Sequence, residues 1–268
     1  MKKMILFLMI SFFLVCPLSL QAFAKEYSNI QHDWYFKPSK NNEPATTEPE
    51  FEEMLEKHGG MFIADTSKKE LYLTFDNGYE QGYTGAILDV LREKKVPATF
   101  FVTGHYIKEE PDLIKRMVNE GHIVGNHSFH HPNFAKTSDT NIREELESVE
   151  ELFTKVTGKQ MPKYLRPPRG IFSERTLAVT KELGYTNVFW SLAYKDWETN
   201  QQKGWKYAYD NVMKRVHPGA IMLLHTVSKD NADALGKIID DLHKQGYSFH
   251  SLDELTAKNS VHEYFITP

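Results

Sequence analysis

The sequence predicts an α/β fold, a distorted (β/α) barrel of about seven parallel strands. Two observations carry this. Short apolar runs alternate with segments of helical spacing from Leu71 to His250, and no internal repeat interrupts them; that order builds a parallel sheet. In addition, polar residues cluster just after the ends of five different strands, where parallel α/β folds gather their chemistry.

The clearest strand is Leu71–Phe75. Leu71, Leu73 and Phe75 alternate with Tyr72 and Thr74, so both faces suit burial, and the run ends in Asp76-Asn77-Gly78. Asn-Gly is also a hairpin signal, but Ile87, Leu88 and Leu91 follow at helical spacing and predict a helix over 84–94 instead of a second strand. Strand 98–102 leads through Thr103-Gly104-His105 to a helix near 112–120. Strand 122–124 leads to Gly125-Asn126-His127-Ser128-Phe129-His130-His131-Pro132, then to a long helix over 138–156. Strand 164–165 leads to Arg166-Pro167-Pro168-Arg169-Gly170 and a helix near 174–183. Strand 187–190 leads to Asp196-Trp197 and a helix over 205–216. Strand 220–224 runs into His225-Thr226, and a helix over 232–244 with strand 247–250 completes the pattern.

Three regions follow. Residues 1–24 read as a signal peptide: Met1-Lys2-Lys3 is basic, Met4 to Leu20 is apolar, and Ala22-Phe23-Ala24 is a small-x-small cleavage site. Secretion to the cell envelope is therefore expected. Residues 25–65 form an N-terminal extension with an aromatic patch (Trp34, Tyr35, Phe36) and a helix after Pro49 that ends at Gly59-Gly60, read as a strap across the barrel floor. Residues 66–268 form the core domain. The single cysteine, Cys16, lies in the leader, so after cleavage there is no thiolate zinc site and no disulfide framework. A net charge of −4 offers no basic field for nucleic acid. No protein partner is implied, and a monomer is expected. Walker, dinucleotide and G-x-S-x-G motifs are absent from the sequence.

His127 and His131 are four apart, which on one turn of helix places two imidazoles on one side as metal ligands. Asp76 is a carboxylate at a strand end and the candidate general base, expected to be replaceable by Asn without loss of the fold. Arg166, in a loop stiffened by Pro167-Pro168, is the group that would keep Asp76 ionised. His225, after a buried strand, could deliver a proton, with Asp196 to orient and charge it.

Taken together, Thr74-Phe75-Asp76-Asn77-Gly78, His127-Ser128-x-x-His131, Arg166-Pro167-Pro168-Arg169-Gly170, Asp196-Trp197 and Leu223-Leu224-His225 resemble the five motifs of the polysaccharide deacetylases, carbohydrate esterase family 4 with its NodB homology domain. The likeness is closest to the sporulation branch that makes muramic δ-lactam in spore cortex, which implies the forespore envelope as the site of action. It implies removal of N-acetyl groups from peptidoglycan glycan strands, at N-acetylmuramic acid. Rival expectations are N-acetylglucosamine or chitin oligomers as substrate, or a glycan-binding domain without catalysis. By resemblance, Asp76 is the base and His225 the acid. Arg166 and Asp196 support them. His127, His131 and Asn77 hold a divalent metal, zinc being the expected ion. Trp197 and Leu223 wall the acetyl pocket, and the Arg169 N–H meets the oxyanion. This chain departs from the family's usual residues at Asn77 (aspartate), Arg169 (an aromatic) and Ala193 (aspartate).

Overall fold

The computed structural model describes residues 27–40 and 43–258. The expected signal peptide lies outside the described residues. Among the described residues, no helix is long and apolar enough to cross a membrane.

The elements run β1 (His32–Asp33), α1 (Pro49–His58), β2 (Glu70–Asn77), α2 (Thr84–Lys94), β3 (Ala98–Val102), α3 (Gly104–Glu109), α4 (Pro111–Asn119) and β4 (Ile123–Asn126). Then come α5 (Asp139–Thr157), β5 (Tyr164–Leu165), β6 (Ile171–Phe172), α6 (Glu174–Glu182), β7 (Thr186–Asn187), α7 (Trp205–Arg215), β8 (Ile221–His225), α8 (Lys229–Lys244) and β9 (Ser248–Phe249). The main sheet has the order β7-β5-β4-β3-β2-β8, with β9 also on β2, and its pairings are parallel. Seven strands were expected and seven form it.

Alternation along β2 sets the layers. Leu71, Leu73 and Phe75 join the large cluster with Ile87, Leu88 and Leu91 of α2 and Leu235, Ile238 and Ile239 of α8. Tyr72 belongs to a second cluster with Phe101, Val188 and Ile221 inside the barrel. Residues 72, 74 and 76 therefore share the interior face. Ser138, Ser173 and Ser228 cap their helices by each accepting a backbone N–H, and Gly59 ends α1 in the left-handed region as the sequence predicts.

The structure differs from expectation in three places. Thr103 caps a short helix at once, so Gly104 and His105 open α3 rather than a loop. Strand 187–190 shrinks to β7, and the chain beyond it closes the ring by isolated bridges. Val188 N donates to Leu165 O at 2.8 Å on one side, and Leu223 N donates to Leu192 O at 2.8 Å on the other. Third, the extension is more than a floor strap, although Ala64 N does donate to Gly219 O at 2.8 Å just before β8. Its Met61 pairs with Val188 and its Ile63 with Ala220, filling the gap in the wall. Further up, β1 pairs antiparallel with β6, and Trp34 N donates to Gly170 O at 2.8 Å. Trp34 packs among Phe51, Phe62, Phe172, Phe189 and Trp190. The extension thus buttresses the loop 166–170 at the mouth of the barrel. Gly170, with φ +67°, fits there because a Cβ would stand 2.9 Å from Trp190 and 3.0 Å from Trp34.

Candidate active site

A cleft of about 880 Å³ opens at the C-terminal ends of the parallel strands. Asp76, His127, His131, Arg169, Trp197, Leu223 and His225 line it, so seven of the ten expected site residues converge on one opening. Arg166 and Asp196 stand directly behind its wall, and Asn77 does not line it.

The base is built first. Asp76 and His225 are register partners on adjacent parallel strands, so their side chains leave the same face of the sheet. Arg166, at the end of β5, is wholly buried. Its Nη1 donates to Asp76 Oδ1 at 2.8 Å, its Nη2 to Thr74 Oγ1 at 2.8 Å, and its Nε to Val188 O at 3.1 Å. Its guanidinium also lies 4.2 Å from the ring centre of Phe101. Burial pushes the Asp76 carboxyl up, but the charge of Arg166 above all outweighs it and holds the carboxyl below its usual range. Asp76 is an ionised carboxylate at neutral pH, as a general base requires.

The imidazole pair comes from a loop, not from the expected turn of helix. Residues 127–131 have no helical assignment, and Ser128 and His131 sit at φ 63° and 58°. Arg169 likewise has φ 61°, so three of the four positive-φ non-glycine residues among those described lie at the cleft, where strained backbone tends to collect. Three groups hold the loop. The Ser128 N–H donates to Asn126 Oδ1 at 2.8 Å, and the His131 N–H to Ser128 Oγ at 3.0 Å. Glu145 of α5 accepts the N–H groups of Phe129 and His130 at 2.9 and 2.8 Å. The His127 and His131 rings come to 4.7 Å between centres. Nδ1 of His127 lies 2.8 Å from Arg166 O, which makes it the protonated nitrogen and leaves Nε2 as a lone-pair donor, 3.5 Å from Asp76 Oδ2. Burial, then the neighbouring His127, pulls His131 down to about 3, so it too is neutral.

The acid stands on the other wall. His225 Nδ1 is 2.7 Å from Asp196 Oδ1, and the His225 backbone N–H donates to Asp196 Oδ2 at 2.8 Å. Burial lowers the His225 pKa, but the Asp196 charge and hydrogen bond outweigh it and raise the imidazole above its ordinary value. Trp197 is exposed beside it, 5.5 Å between ring centres.

Asn77 is placed differently from the expectation of a site ligand. It is fully buried, and its Nδ2 donates to Thr226 Oγ1 at 2.8 Å. Its Oδ1 is buried and has no hydrogen-bond partner. Among the described residues, no group of three or more His, Cys, Asp or Glu is arranged to hold a metal ion. Sequence reasoning also missed Thr74, Asn126, Ser128, Glu145 and Asn231. Glu145 is one of several glutamates on a polar helix, and nothing in its sequence setting marks it.

A carboxylate held ionised on one wall and an imidazole made more basic by its own carboxylate on the other define a hydrolase of the parallel-barrel class. The comparisons make this specific. Residues 63–188 match the polysaccharide deacetylase family, and the chain belongs to that family. It is 54% identical over 238 residues to the peptidoglycan-N-acetylmuramic acid deacetylase PdaA of Bacillus subtilis, across 89% of this chain and 90% of that protein. The solved structure of PdaA, a family 4 carbohydrate esterase, superposes with a TM-score of 0.85 over 87% of this chain and 99% of that one. A peptidoglycan-N-acetylglucosamine deacetylase of Bacillus cereus is 34% identical over 205 residues, across 75% of this chain and 73% of that protein. A pseudoenzyme of the same esterase family from Bacillus anthracis is 28% identical, with a TM-score of 0.68 over 73% of this chain and 68% of that one.

The Arg166–Asp76 geometry corrects the expectation that Asp76→Asn leaves the fold untouched. The wholly buried guanidinium would lose its anion, at a cost of about 3 kcal/mol. The variant should lose at least about a hundredfold in turnover and also unfold at lower denaturant. Denaturant titration beside activity of the folded fraction checks both.

Proposed function

We propose that this protein is a secreted deacetylase that removes the acetyl group from N-acetylmuramic acid of peptidoglycan, on the way to muramic δ-lactam in spore cortex. The observation that carries the reading is one cleft that holds Asp76, kept ionised by Arg166, opposite His225, whose hold on a proton is strengthened by Asp196. Amide hydrolysis needs both, because the attacking water must lose a proton and the departing amine must gain one. A glycan-binding domain has no use for either protonation state. Identity to PdaA over nearly the whole chain supports muramic acid as the sugar. The apolar leader with its cleavage site supports export.

The roles divide as follows. Asp76, charged through Arg166, takes the proton of water. The Arg169 N–H, presented by the left-handed turn beside Gly170, donates to the oxyanion. His225 passes a proton to the amine nitrogen, and Asp196 stabilises the imidazolium meanwhile. Trp197 and Leu223 wall the acetyl group. The donors present fit a divalent cation: two neutral imidazoles, one with its free nitrogen fixed by Arg166 O, and an amide oxygen of Asn77 without a partner. His127, His131 and Asn77 would hold it, zinc being best matched to imidazole, and it would polarise the carbonyl and acidify water. The experiment is acetate release from peptidoglycan with and without prior removal of stem peptides, with muramic acid and glucosamine separated in the digest. Free muramic acid is the expected product. Glucosamine alone would reassign the substrate, and no acetate would support the binding-domain rival.

Asn77→Asp should tighten metal binding, since a carboxylate adds charge toward a dication. Competition titration with a chromophoric chelator reads this without activity. An unchanged dissociation constant would remove Asn77 from the donor set.

Arg169 lines the cleft with an exposed cationic side chain. N-acetylmuramic acid differs from N-acetylglucosamine by a lactyl ether that bears a carboxylate once its stem peptide is gone, and guanidinium pairs with carboxylate through two parallel hydrogen bonds. Arg169→Tyr keeps the backbone donor and should cost about 1.5–3 kcal/mol in kcat/KM on peptide-free muramic substrates. Glucosamine substrates should be spared. Equal losses on both sugars would exclude Arg169 from selectivity.

A further inference from the structure

Behind the acid lies a buried amide that neither the motifs nor the relatives' names point to. Asn231 sits in the first turn of α8, three residues after the cap Ser228, and is 1% exposed. Its Nδ2 donates to Asp196 Oδ2 at 2.6 Å and to His225 O at 3.2 Å. On its other side Oδ1 accepts the hydroxyl of Tyr194, itself buried. The orientation is settled by these partners. A carboxylate and a carbonyl can only accept, so the NH₂ group must face them, and Oδ1 is left for the tyrosine hydroxyl.

We propose that Asn231 is the positioning residue of the acid: it fixes the Asp196 carboxylate so that one oxygen meets His225 Nδ1, and Tyr194 fixes Asn231 in turn. Asp196 has two oxygens. Oδ1 takes the imidazole, and Oδ2 takes the His225 backbone N–H and the Asn231 amide. With the amide removed, one oxygen loses a buried donor, and the carboxylate is free to rotate away from Nδ1. The brace comes from α8, 35 residues after Asp196. Tyr194, next to Ala193, provides the link back to that turn.

The inference rests on His225 acting as the acid, and the test separates the two. Breaking the C–N bond of the amide requires His225 to place a proton on the amine nitrogen. An aryl acetate needs no such proton, because its phenolate leaves unprotonated. Asn231→Ala should therefore lower kcat on an N-acetylated glycan oligomer by roughly tenfold to a hundredfold, with KM little changed. On a nitrophenyl acetate its loss should be only a small fraction of that. Tyr194→Phe keeps the packed ring and removes only the hydroxyl, so it tests the same link without opening a cavity, and it should show the same split with a smaller loss. Equal losses on amide and aryl ester in both variants would make Asn231 merely structural and overturn the proposal, as would no loss on the amide in either. A wild-type protein that cleaves the aryl ester but no amide would overturn the acid assignment of His225 itself.

Discussion

A guanidinium with no exposed surface is the constraint on which the rest depends. Arg166 cannot shed its charge, so the fold must satisfy it in place. It does so with one carboxylate, one hydroxyl, one carbonyl and the face of Phe101, drawn from β2, β3 and the segment after β7. A buried ion pair of this kind adds little net stability, because both charges give up water. What it fixes is a protonation state. As long as Arg166 is buried, Asp76 stays ionised, and the reactive carboxylate is part of what holds the barrel closed. The extension serves the same loop from outside, with Trp34 against Gly170 and Trp190.

The cleft then sorts like groups into unlike states by their neighbours. Two carboxylates are paired, Asp76 with a permanent cation and Asp196 with a titratable one. Three imidazoles divide in the opposite way. His127 and His131 are lowered by burial and left neutral, able to offer lone pairs, whereas His225 is raised by Asp196 and able to give a proton. Base, ligands and acid thus follow from which partner each side chain was given.

Much of this was legible in the sequence because it rests on local periodicity. The alternation at Leu71–Phe75, the spacing of Ile87, Leu88 and Leu91, and strand ends rich in Asp, His and Arg identified the barrel and four of its cleft residues, Asp76, His127, His131 and His225, whereas Arg169, Trp197 and Leu223 came from the family resemblance alone. The Pro167-Pro168 pair correctly signalled a shaped loop around Arg166. What was not legible rests on long-range contact. The wall between β7 and β8 is closed by isolated bridges from residues 61–63 and 192, which have no periodicity to read. His127 and His131 meet through two left-handed residues and Glu145, not through a helix, because Asn126, Ser128 and Glu145 satisfy the loop's backbone. Asn231 resembles any polar residue in the first turn of a helix until α8 is placed against Asp196. Asn77, read as a ligand from its neighbour Asp76, is drawn back from the cleft with its amide nitrogen on Thr226, and only its unpartnered Oδ1 is left to serve as a donor.

The central claim is that Arg166 keeps Asp76 ionised so that it can act as base. Carboxyl-carbon NMR of the protein, titrated from neutral to acid pH with no substrate present, tests it directly. The account predicts that the Asp76 resonance titrates below the ordinary aspartate range of about 3.9, and holds its ionised shift until the fold itself is lost. A midpoint at or above that range would mean that burial outweighs the guanidinium, and the account of the base would be wrong.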